Sequence, residues 1–323
     1  MDYLILLLGL GVLIIGGEFL VRGAVGFSKK LKISSLVIGM TVVAFGTSAP
    51  ELLVSLKSAL LGNPGIAVGN VVGSNIANIA LVLGVTVMIF PITVDRNTKR
   101  VDYPMLLFAT LLGSVFALDG LFSLVEGIFM LSILILFIYR MIRKSRLENK
   151  ELEVITTIDN KEEQEVPIWK SSLFLLLGFI GLYLGAEWFV EGAVSIANEL
   201  LATNPNKDVI IGVTVVAFGT SAPELVASTM AALKKEADIS IGNLIGSNLF
   251  NIFAVISLTV MVKPIEVSRS IIEFDMIWMI GITLLLLLVI YIGKKIGRIK
   301  GVILFSSYIA YITVIILKVQ GLI

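Results

Sequence analysis

The sequence predicts an all-α membrane protein with ten transmembrane helices, arranged as two inverted five-helix repeats. Three observations predict this class. Hydrophobic residues make up 57% of the 323 residues, and charged residues only 15%. Apolar runs of about 20 residues, the length that a helix needs to cross a bilayer, recur along the chain. The string TVVAFGTSAPEL occurs twice, at Thr41–Leu52 and at Thr214–Leu225.

Ten apolar segments carry the helix prediction. The first follows Met1 and Asp2 without a basic leader region, so we expect a retained helix rather than a cleaved signal. In chain order, the predicted helices are Tyr3–Phe27, Leu36–Leu61, Gly65–Pro91, Val101–Ala117, Leu121–Arg140, Trp169–Asn198, Val209–Leu233, Ile239–Val262, Ile271–Ile292 and Val302–Leu317. Several spans exceed the hydrocarbon thickness, which predicts tilt or breaks. We place the breaks in the second, third, seventh and eighth helices.

The duplication covers most of both halves of the chain. A second block, GNVVGSNIANI at Gly69–Ile79, returns as GNLIGSNLFNI at Gly242–Ile252, with an offset of 173 residues (242 − 69 = 173). Earlier matches such as Glu18 with Glu187 have an offset of 169 (187 − 18 = 169). An insertion of four residues around Asn204–Lys207 accounts for the difference. The repeat therefore spans two similar halves.

The halves define the predicted domain organisation. We predict a first five-helix repeat at residues 1–140, a charged, solvated cytoplasmic linker at 141–169 and a second repeat at 170–323. Because five is odd, the second repeat enters the membrane in the opposite direction. Lysine and arginine concentrate in the loops after the odd-numbered helices, which indicates that these loops are cytoplasmic and the N-terminus is outside. We expect a multi-pass protein of the cell membrane.

The missing residue types exclude several kinds of site. The chain has no cysteine and no histidine, so disulfides, thiolate chemistry and imidazole ligands are excluded. Any bound cation must use oxygen ligands, which favours hard ions such as Ca²⁺, Mg²⁺ or Na⁺. We expect no prosthetic group and no nucleic-acid partner. The lipid bilayer is the expected surrounding, and a monomer is the expected functional unit.

Each copy of the repeated string places a glutamate, Glu51 or Glu224, directly after a proline in apolar sequence. An acidic residue at bilayer depth is costly and is by default a functional-site hypothesis. On a helix, Thr47 and Ser48 lie beside Glu51. The proline frees a backbone carbonyl one turn earlier, and a freed carbonyl in lipid must find another partner. The second half repeats the set as Thr220, Ser221 and Glu224.

The second block supplies neutral oxygen ligands. These are Ser74 and Asn78 in the first half, and Ser247 and Asn251 in the second. We expect the four motif-bearing helices to pack around the midplane and bring the two glutamates together. Adjacent carboxylates in a low dielectric cannot both stay ionised without cations. One Ca²⁺ or two Na⁺ would neutralise the pair, and a third Na⁺ would add one positive charge. The site could thus hold either load in turn.

A purely structural role for these residues is the alternative to ion binding. Glycine, serine and threonine in membrane helices often serve packing, and a buried glutamate can pair with a base. No lysine or arginine stands at comparable depth to Glu51 or Glu224. Glu18 and Glu187 also repeat, but Arg22 lies one turn from Glu18. A local ion pair and a role in gating both remain open for Glu18.

These motifs resemble the Ca²⁺/cation antiporter superfamily, and closely its prokaryotic Na⁺/Ca²⁺ exchanger branch. The residues that carry the resemblance are GTSAPE at Gly46–Glu51 and Gly219–Glu224, GNVVGSNIAN at Gly69–Asn78 and GNLIGSNLFN at Gly242–Asn251. The resemblance covers essentially all ten helices. It implies exchange of three Na⁺ for one Ca²⁺ by alternating access, with the first and sixth helices sliding across the rest.

The resemblance also implies a ligand set. Glu51 and Glu224 would be the central Ca²⁺ ligands, together with the Thr47 and Thr220 carbonyls. The Na⁺ sites would use the Ala44 carbonyl with Ser48 and Ser74, and the Ala217 carbonyl with Ser221 and Ser247. Asn78 and Asn251 would line the middle. Some family members carry aspartate where Asn251 stands. The neutral residue argues against K⁺ co-transport and weakens a proton-coupled interpretation.

The sequence therefore predicts Na⁺-driven Ca²⁺ extrusion across the cell membrane. The nearest alternative is an H⁺/Ca²⁺ antiporter, or an antiporter of another divalent cation, that uses the same two glutamates. A cation channel and an intramembrane enzyme are more distant alternatives. A channel would leave an open path, whereas inverted repeats with broken helices favour a carrier. An intramembrane hydrolase needs a nucleophile and base or two aspartates, so we expect no enzymatic activity.

Overall fold

The computed structural model describes residues 2–155, 167–202, 207, 211, 215, 217–293 and 295–322. Within these ranges the protein is almost entirely helical. Eight helices are long and apolar enough to cross a membrane, and one bent pair makes a ninth span. These spans confirm the predicted class of helical membrane protein. The start of the seventh predicted helix, Val209–Leu233, falls largely outside the described residues, as does most of the insertion at Asn204–Lys207.

The first half contains six helices and two very short strands. They are α1 (Asp2–Leu31), α2 (Ser35–Thr47), α3 (Ala49–Leu60), α4 (Pro64–Ile89), β1 (Ile92–Thr93), α5 (Thr98–Asp119), β2 (Leu121–Phe122) and α6 (Leu124–Ile155). Helices α2 and α3 together form the bent span, with an angle of 42° between them. The sequence analysis predicted only helices, so these two-residue strands were not expected.

The second half repeats this order as far as the structure describes it. It contains α7 (Ile168–Leu200), α8 (Ala217–Thr220), α9 (Ala222–Leu233), α10 (Ala237–Val262), β3 (Ile265–Glu266), α11 (Ile271–Tyr291), β4 (Lys295–Ile296) and α12 (Arg298–Val319). The short helix α8 and helix α9 correspond to the end of α2 and to α3.

Two of the four predicted helix breaks are wrong. Helices α4 and α10, the third and eighth predicted helices, run without interruption for 26 residues each. Each contains a π-helical segment instead, at Asn78–Leu83 and at Asn251–Val255. A π segment widens the helix locally while its backbone groups remain hydrogen-bonded, and such segments are frequent at functional sites. Asn78 and Asn251, the last asparagines of the two copies of the second motif block, are thus the first residues of the widened turns.

The predicted linker differs from the structure at its start. Helix α6 does not end at Arg140 but continues to Ile155. The Lys, Arg and Glu residues of this stretch are good helix formers and can extend a helix into water. Helix α7 begins at Ile168, close to the predicted start. Residues 156–166 of the predicted linker lie outside the described residues.

Helices α4 and α10 form the centre of the molecule. In each, 78% of the residues in the apolar stretch are buried, against 17–33% in α1, α6, α7 and α12. The core around them contains large buried side chains, among them Tyr103 of α5, Phe122 of β2 and Phe253 of α10 itself. The outer helices expose leucine, isoleucine and phenylalanine, as expected of surfaces that face lipid.

Helices α1 and α7 pack against each other in an antiparallel pair. Glycine recurs every seven residues on both contact faces, at Gly9, Gly16 and Gly23 of α1 and at Gly178, Gly185 and Gly192 of α7. A Cβ atom on Gly16 would lie 2.6 Å from the backbone nitrogen of Leu182, and one on Gly178 would lie 2.6 Å from that of Leu20. The two backbones are therefore in direct contact, as in other small-residue helix interfaces.

The short strands join the two halves. Strand β1 pairs with β4, and Ile92 lies opposite Ile296. Strand β2 pairs with β3, and Phe122 lies opposite Ile265. Both pairings are antiparallel. Because α5 runs from β1 to β2, the two strand pairs lie at opposite ends of this helix.

Candidate cation site

The repeated string forms a helix break with the same geometry in both halves. Ser48 separates α2 from α3 with φ −87° and ψ 4°, and Ser221 separates α8 from α9 with φ −90° and ψ 2°. Pro50 and Pro223 occupy the first turn of the helix that follows, where the missing N–H is harmless. The glutamate after each proline thus lies in the first turn of a helix that begins inside the protein.

Glu51 and Glu224 are both fully buried. They lie close enough to repel each other electrostatically. Neither oxygen of the Glu51 side chain has a hydrogen-bond partner, and Oε2 of Glu224 has none among the described residues. No basic side chain in the described part of the chain pairs with either carboxylate. A buried carboxylate without a partner is costly, so this arrangement points to a missing cationic ligand.

Hydrogen bonds across the two halves bring the repeated motifs together. The Ser48 hydroxyl donates to Oε1 of Glu224 over 3.3 Å. The Thr47 hydroxyl contacts that of Ser247, with 3.3 Å between the oxygens. On the other side of the pair, the Ser74 hydroxyl approaches the Glu51 carboxylate without completing a hydrogen bond. The site is therefore shared between the halves.

The two asparagines of the second block supply further free oxygens. Asn78 and Asn251 are fully buried, and both amide atoms of each side chain lack a partner among the described residues. The hydroxyl of Ser221 also lacks one. Buried polar atoms in proteins are nearly always hydrogen-bonded, so a concentration of unpaired ones marks a place where something else binds.

The remaining predicted ligands lie on the same elements. Ala44 is buried in α2, and its carbonyl accepts the Thr47 hydroxyl over 3.4 Å. Ala217 begins α8, and Thr220 ends it directly before the break. The structure thus places all twelve predicted residues at the two helix breaks or on the facing turns of α4 and α10.

Four residues of this site were missed by the sequence analysis. Asn70 donates to the Glu51 carbonyl over 3.1 Å and to the Ser55 hydroxyl over 3.0 Å. In the second half, Asn243 donates to the Ser228 hydroxyl over 3.0 Å. Both pairs have the repeat offset of 173 (243 − 70 = 228 − 55 = 173), and both asparagines stand in the repeated GN dipeptide. That repetition was the signal that could have identified them.

Asn243 also links the halves directly. Its Oδ1 accepts a hydrogen bond from the Thr47 hydroxyl over 3.1 Å. One amide therefore connects α10, α9 and the end of α2, next to both glutamates. Such outer contacts orient ligands and commonly affect ion affinity.

A cavity lies beside the two helix breaks. It has a volume of about 420 Å³ and is lined by α7 and by the two prolines of the helix breaks. Its other lining residues include Tyr183, Glu187 and Glu191 of α7 and Thr220 of α8. The cavity thus reaches the residues that directly precede the buried carboxylates, Pro50 and Pro223.

The charge of the site suits a cargo more than a permanently bound metal. No group of three or more acidic side chains that could hold a metal is present in the described ranges. Two carboxylates with neutral hydroxyl, amide and carbonyl oxygens form a ligand set for hard cations. The number of charged ligands affects the affinity of a site for Ca²⁺, and a small number favours release of the ion.

The sequence profile of the family described as sodium/calcium exchanger protein matches residues 1–143 and 170–317. Together these ranges include nearly all of the helices and every residue of the site. The chain belongs to this family. This exchanger is therefore a multi-pass membrane protein that carries out cation antiport, and it is not an enzyme. The ions that the family exchanges, Ca²⁺ and Na⁺, are cargo and not prosthetic groups.

Individual relatives match the chain along nearly their full length. The exchanger is 34% identical over 351 residues to the sodium/calcium exchanger MaX1 of Methanosarcina acetivorans, covering 97% of this chain and 98% of that protein. It is 30% identical to the inner membrane protein YrbG of Escherichia coli strain K12, covering 96% and 95%.

A solved structure has the same fold. The sodium-calcium exchanger NCX_Mj, from crystals soaked with 2.5 mM Na⁺ and 0.1 mM Ca²⁺, superposes with a TM-score of 0.80. The two proteins are 33% identical, and the match covers 97% of each chain. At this identity and coverage the match supports both the fold and membership of the prokaryotic branch of Ca²⁺/cation antiporters.

Proposed function

We propose that this exchanger extrudes Ca²⁺ from the cell in exchange for Na⁺ that flows inward, by alternating access. The observation that carries this proposal is the pair of buried carboxylates, Glu51 and Glu224, which have unpaired oxygens and no basic partner among the residues that the structure describes. Such a pair needs positive charge from outside the protein. The names of MaX1 and NCX_Mj, both sodium/calcium exchangers, support the choice of ions.

Charge balance explains why the two cargoes exclude each other. One Ca²⁺ neutralises both carboxylates, and so do two Na⁺ ions. Adding Ca²⁺ to a site that already holds Na⁺ would leave uncompensated positive charge in a low dielectric, which is strongly unfavourable. The same site therefore binds one load or the other, and this competition couples the two gradients.

The proposed ligands come from the two repeated motifs, and the hydrogen bonds of Thr47 and Ser48 to the second half support this set. Glu51 and Glu224 hold Ca²⁺ at the centre, with the Thr47 and Thr220 carbonyls. Na⁺ binds on both sides of the centre, and Asn78 and Asn251 line the middle. The Na⁺ ligands are the Ala44 carbonyl, Ser48 and Ser74 on one side, and the Ala217 carbonyl, Ser221 and Ser247 on the other.

We further propose that the ten helices form two inverted repeats, at 1–140 and 170–323. The strand pairs support the inversion. Strand β3 is the repeat equivalent of β1 (92 + 173 = 265), yet it pairs with β2 at the opposite end of α5 from β1. Equivalent segments of the halves thus lie at opposite ends of the molecule. This arrangement is the usual architecture of alternating-access transporters.

The proposed orientation follows from the lysine and arginine residues. We place the N-terminus outside the cell membrane and residues 141–169 in the cytoplasm, since basic residues concentrate in the loops that this orientation makes cytoplasmic. The long, charged end of α6 then extends into the cytoplasm. The cavity beside α7 opens on the outer side.

Transport in proteoliposomes tests the coupling. The exchanger is reconstituted into vesicles loaded with Na⁺, with K⁺ or with an acidic buffer, and uptake of ⁴⁵Ca²⁺ is followed after dilution into a medium without the loaded ion. We expect rapid uptake from Na⁺-loaded vesicles only. Uptake that follows the proton gradient and ignores Na⁺ would replace this proposal with H⁺/Ca²⁺ antiport. Ca²⁺ uptake that requires no gradient of a counter-ion would indicate a channel.

A further inference from the structure

An ion pair ties helix α1 to the end of helix α9. The Lys234 ammonium lies 2.6 Å from Oε1 of Glu18, and the two residues are 216 positions apart. Arg22, one turn along α1, contacts the same carboxylate oxygen over 2.6 Å. The side chains of Glu18 and Lys234 are 26% and 29% exposed, so solvent screens this contact only in part. We name this end of the molecule the tied end.

The tied end is closed around α1. Val21 is 1% exposed. Gly17 packs directly on α9, because a Cβ atom there would lie 2.8 Å from Cγ1 of Val226 and 3.2 Å from Cγ of Met230. In the described part of the chain, the cavity that approaches the cation site lies at the other end, beside α7.

We name the end beside α7, where the cavity lies, the open end. It contains the repeat equivalents of Val21 and Glu18. Val190, the equivalent of Val21 (190 − 169 = 21), lines the cavity, and so does Glu187, the equivalent of Glu18. No described basic side chain forms an ion pair with Glu187. The structure thus contains a closed and an open version of one arrangement.

The basic residues of the tied end have no equivalents at the open end. The position that corresponds to Arg22 is occupied by Glu191 (22 + 169 = 191). The position that corresponds to Lys234 is occupied by Leu61 (234 − 173 = 61). When the open end closes, Glu187 therefore meets a second carboxylate and a leucine at these two positions. The lysine of α3, Lys57, stands one turn earlier, at the equivalent of Met230 (230 − 173 = 57), so an ion pair there would use a different position from that of Lys234.

From this asymmetry we propose that the Glu18–Lys234 ion pair is a one-sided latch, which holds the exchanger in the conformation that is open beside α7. Opening the tied end requires α1 to leave α9, and this movement separates the two charges. A contact made in one state and absent from the other shifts the equilibrium towards the state that has it. The inference rests on the proposed alternating-access function, in which both ends must open in turn.

Single cysteines at equivalent positions can report both ends, because the chain has no native cysteine. Val21→Cys reports the tied end, and Val190→Cys reports the open end. Each is reacted with a membrane-impermeant maleimide in ion-free vesicles of both orientations, and the labelling rate is measured. Both parent variants are first shown to transport ⁴⁵Ca²⁺, so that the reporters describe functional protein.

Lys234→Gln is the test substitution, introduced into both reporter backgrounds. We expect labelling at Val21→Cys to become roughly two- to fivefold faster, the effect of one partly exposed ion pair, while labelling at Val190→Cys slows. Glu18→Gln should shift both rates in the same directions. Lys234→Arg should restore the parent rates. Lys235→Gln, which removes an equal charge from the neighbouring residue, should leave both rates unchanged.

Two results would overturn the latch. Unchanged labelling of both reporters in Lys234→Gln and Glu18→Gln would mean that the ion pair has no conformational role. Faster labelling at both ends together would mean general loosening of the α1–α7 pair. Either result leaves the coupling of ions untouched, because Na⁺-driven uptake is measured separately in the parent variants. Absence of Na⁺-driven uptake there would instead contradict the proposed function.

Discussion

The carboxylates of Glu51 and Glu224 determine what the central site can hold. Each lies in the first turn of a helix that begins inside the protein, where backbone N–H groups and the helix dipole stabilise negative charge. Burial and mutual repulsion act against that charge. Bound cations resolve the conflict, and replacing one carboxylate with a neutral amide removes half of the negative charge that binds them.

We therefore expect Glu51→Gln and Glu224→Gln each to abolish Ca²⁺ uptake while the protein still inserts and folds. The amide is close in shape to the carboxylate, so packing is retained, but half of the compensating charge is lost. Thermal unfolding in detergent provides the measurement. Ca²⁺ at about 100 times its dissociation constant should stabilise the parent protein by roughly 2.7 kcal/mol, and this gain should disappear in both variants.

Glu273→Gln is the matched control, because Glu273 is exposed in α11 and lies outside the site. It should retain both uptake and Ca²⁺ stabilisation. Normal transport by Glu51→Gln or by Glu224→Gln would remove that residue from the ligand set.

Asn243 acts on the site through its neighbours. Its side chain accepts from Thr47 and donates to Ser228, so Asn243→Ala removes the hydrogen bond to the Ser228 hydroxyl and the shortest of the three contacts of the Thr47 hydroxyl. We expect the variant to lose about 1–3 kcal/mol of folding stability. Ca²⁺ affinity should fall about 10- to 100-fold, as for other residues that orient ligands. Isothermal titration and thermal unfolding measure the two effects.

Asn63→Ala provides the control for Asn243→Ala, since Asn63 is exposed in a loop and its side chain makes no capping bond. Affinity that stays at the parent value in Asn243→Ala would mean that the hydrogen bonds to Thr47 and Ser228 do not position ligands.

At the scale of elements, the pair α1–α7 combines backbone contact with side-chain packing. Glycines every seven residues on both helices let the axes approach, and buried leucines such as Leu20 and Leu182 pack around them. In lipid the hydrophobic effect does not drive helices together. Dispersion between closely packed atoms therefore contributes to the stability of the helix pair. The two helices are thus built to behave as one unit.

Gly16→Ala tests this packing. A methyl group at this position would lie 2.6 Å from the backbone nitrogen of Leu182, so the helices must separate. We expect a loss of roughly 1–3 kcal/mol, as for other overpacked interfaces, visible as a lower midpoint of thermal unfolding. Gly11→Ala is the control on the same helix, because nothing lies within 4 Å of its Cβ position. An equal midpoint for the two variants would contradict the close-contact account.

At the scale of the whole molecule, the two halves complete each other. The strand pairs, the α1–α7 contact and the bonds from Thr47 and Ser48 to the second half all cross the repeat boundary. Neither half holds both carboxylates. In the proposed topology, opposite insertion of the halves places the equivalent proposed ligands on the two sides of one midplane site.

Single cysteines on the exposed strand positions test the inversion. We expect Thr93→Cys and Lys295→Cys to react with an impermeant maleimide from one side of the membrane, because β1 pairs with β4. Leu121→Cys and Glu266→Cys should react from the other side, because β2 pairs with β3. With the N-terminus outside, the first pair is cytoplasmic. Labelling of Thr93→Cys and Glu266→Cys from the same side would contradict inverted repeats.

The sequence by itself determined the properties that depend on local order along the chain. A segment in lipid must satisfy its backbone hydrogen bonds internally, so hydropathy and length predict helices and their approximate bounds. The duplicated motifs predicted a shared site around Glu51 and Glu224, because their residue types already limit the ligands to oxygens. Helix ends such as that of α6 were predicted less well, since a charged segment can be helical or irregular at little difference in energy.

Only the tertiary structure decided the features that depend on residues far apart. The bond from Thr47 to Asn243 joins positions 196 residues apart, so the repeated GN dipeptide marks this asparagine but does not show which side chain it contacts. Continuous π segments replaced the predicted breaks in α4 and α10 because neighbouring helices stabilise the widened turns. The ion pair of Glu18 with Lys234 and the cavity at one end likewise arise from how the halves pack. Nearly identical motifs thus acquire two different environments, since each environment is built by contacts that the repeat does not encode.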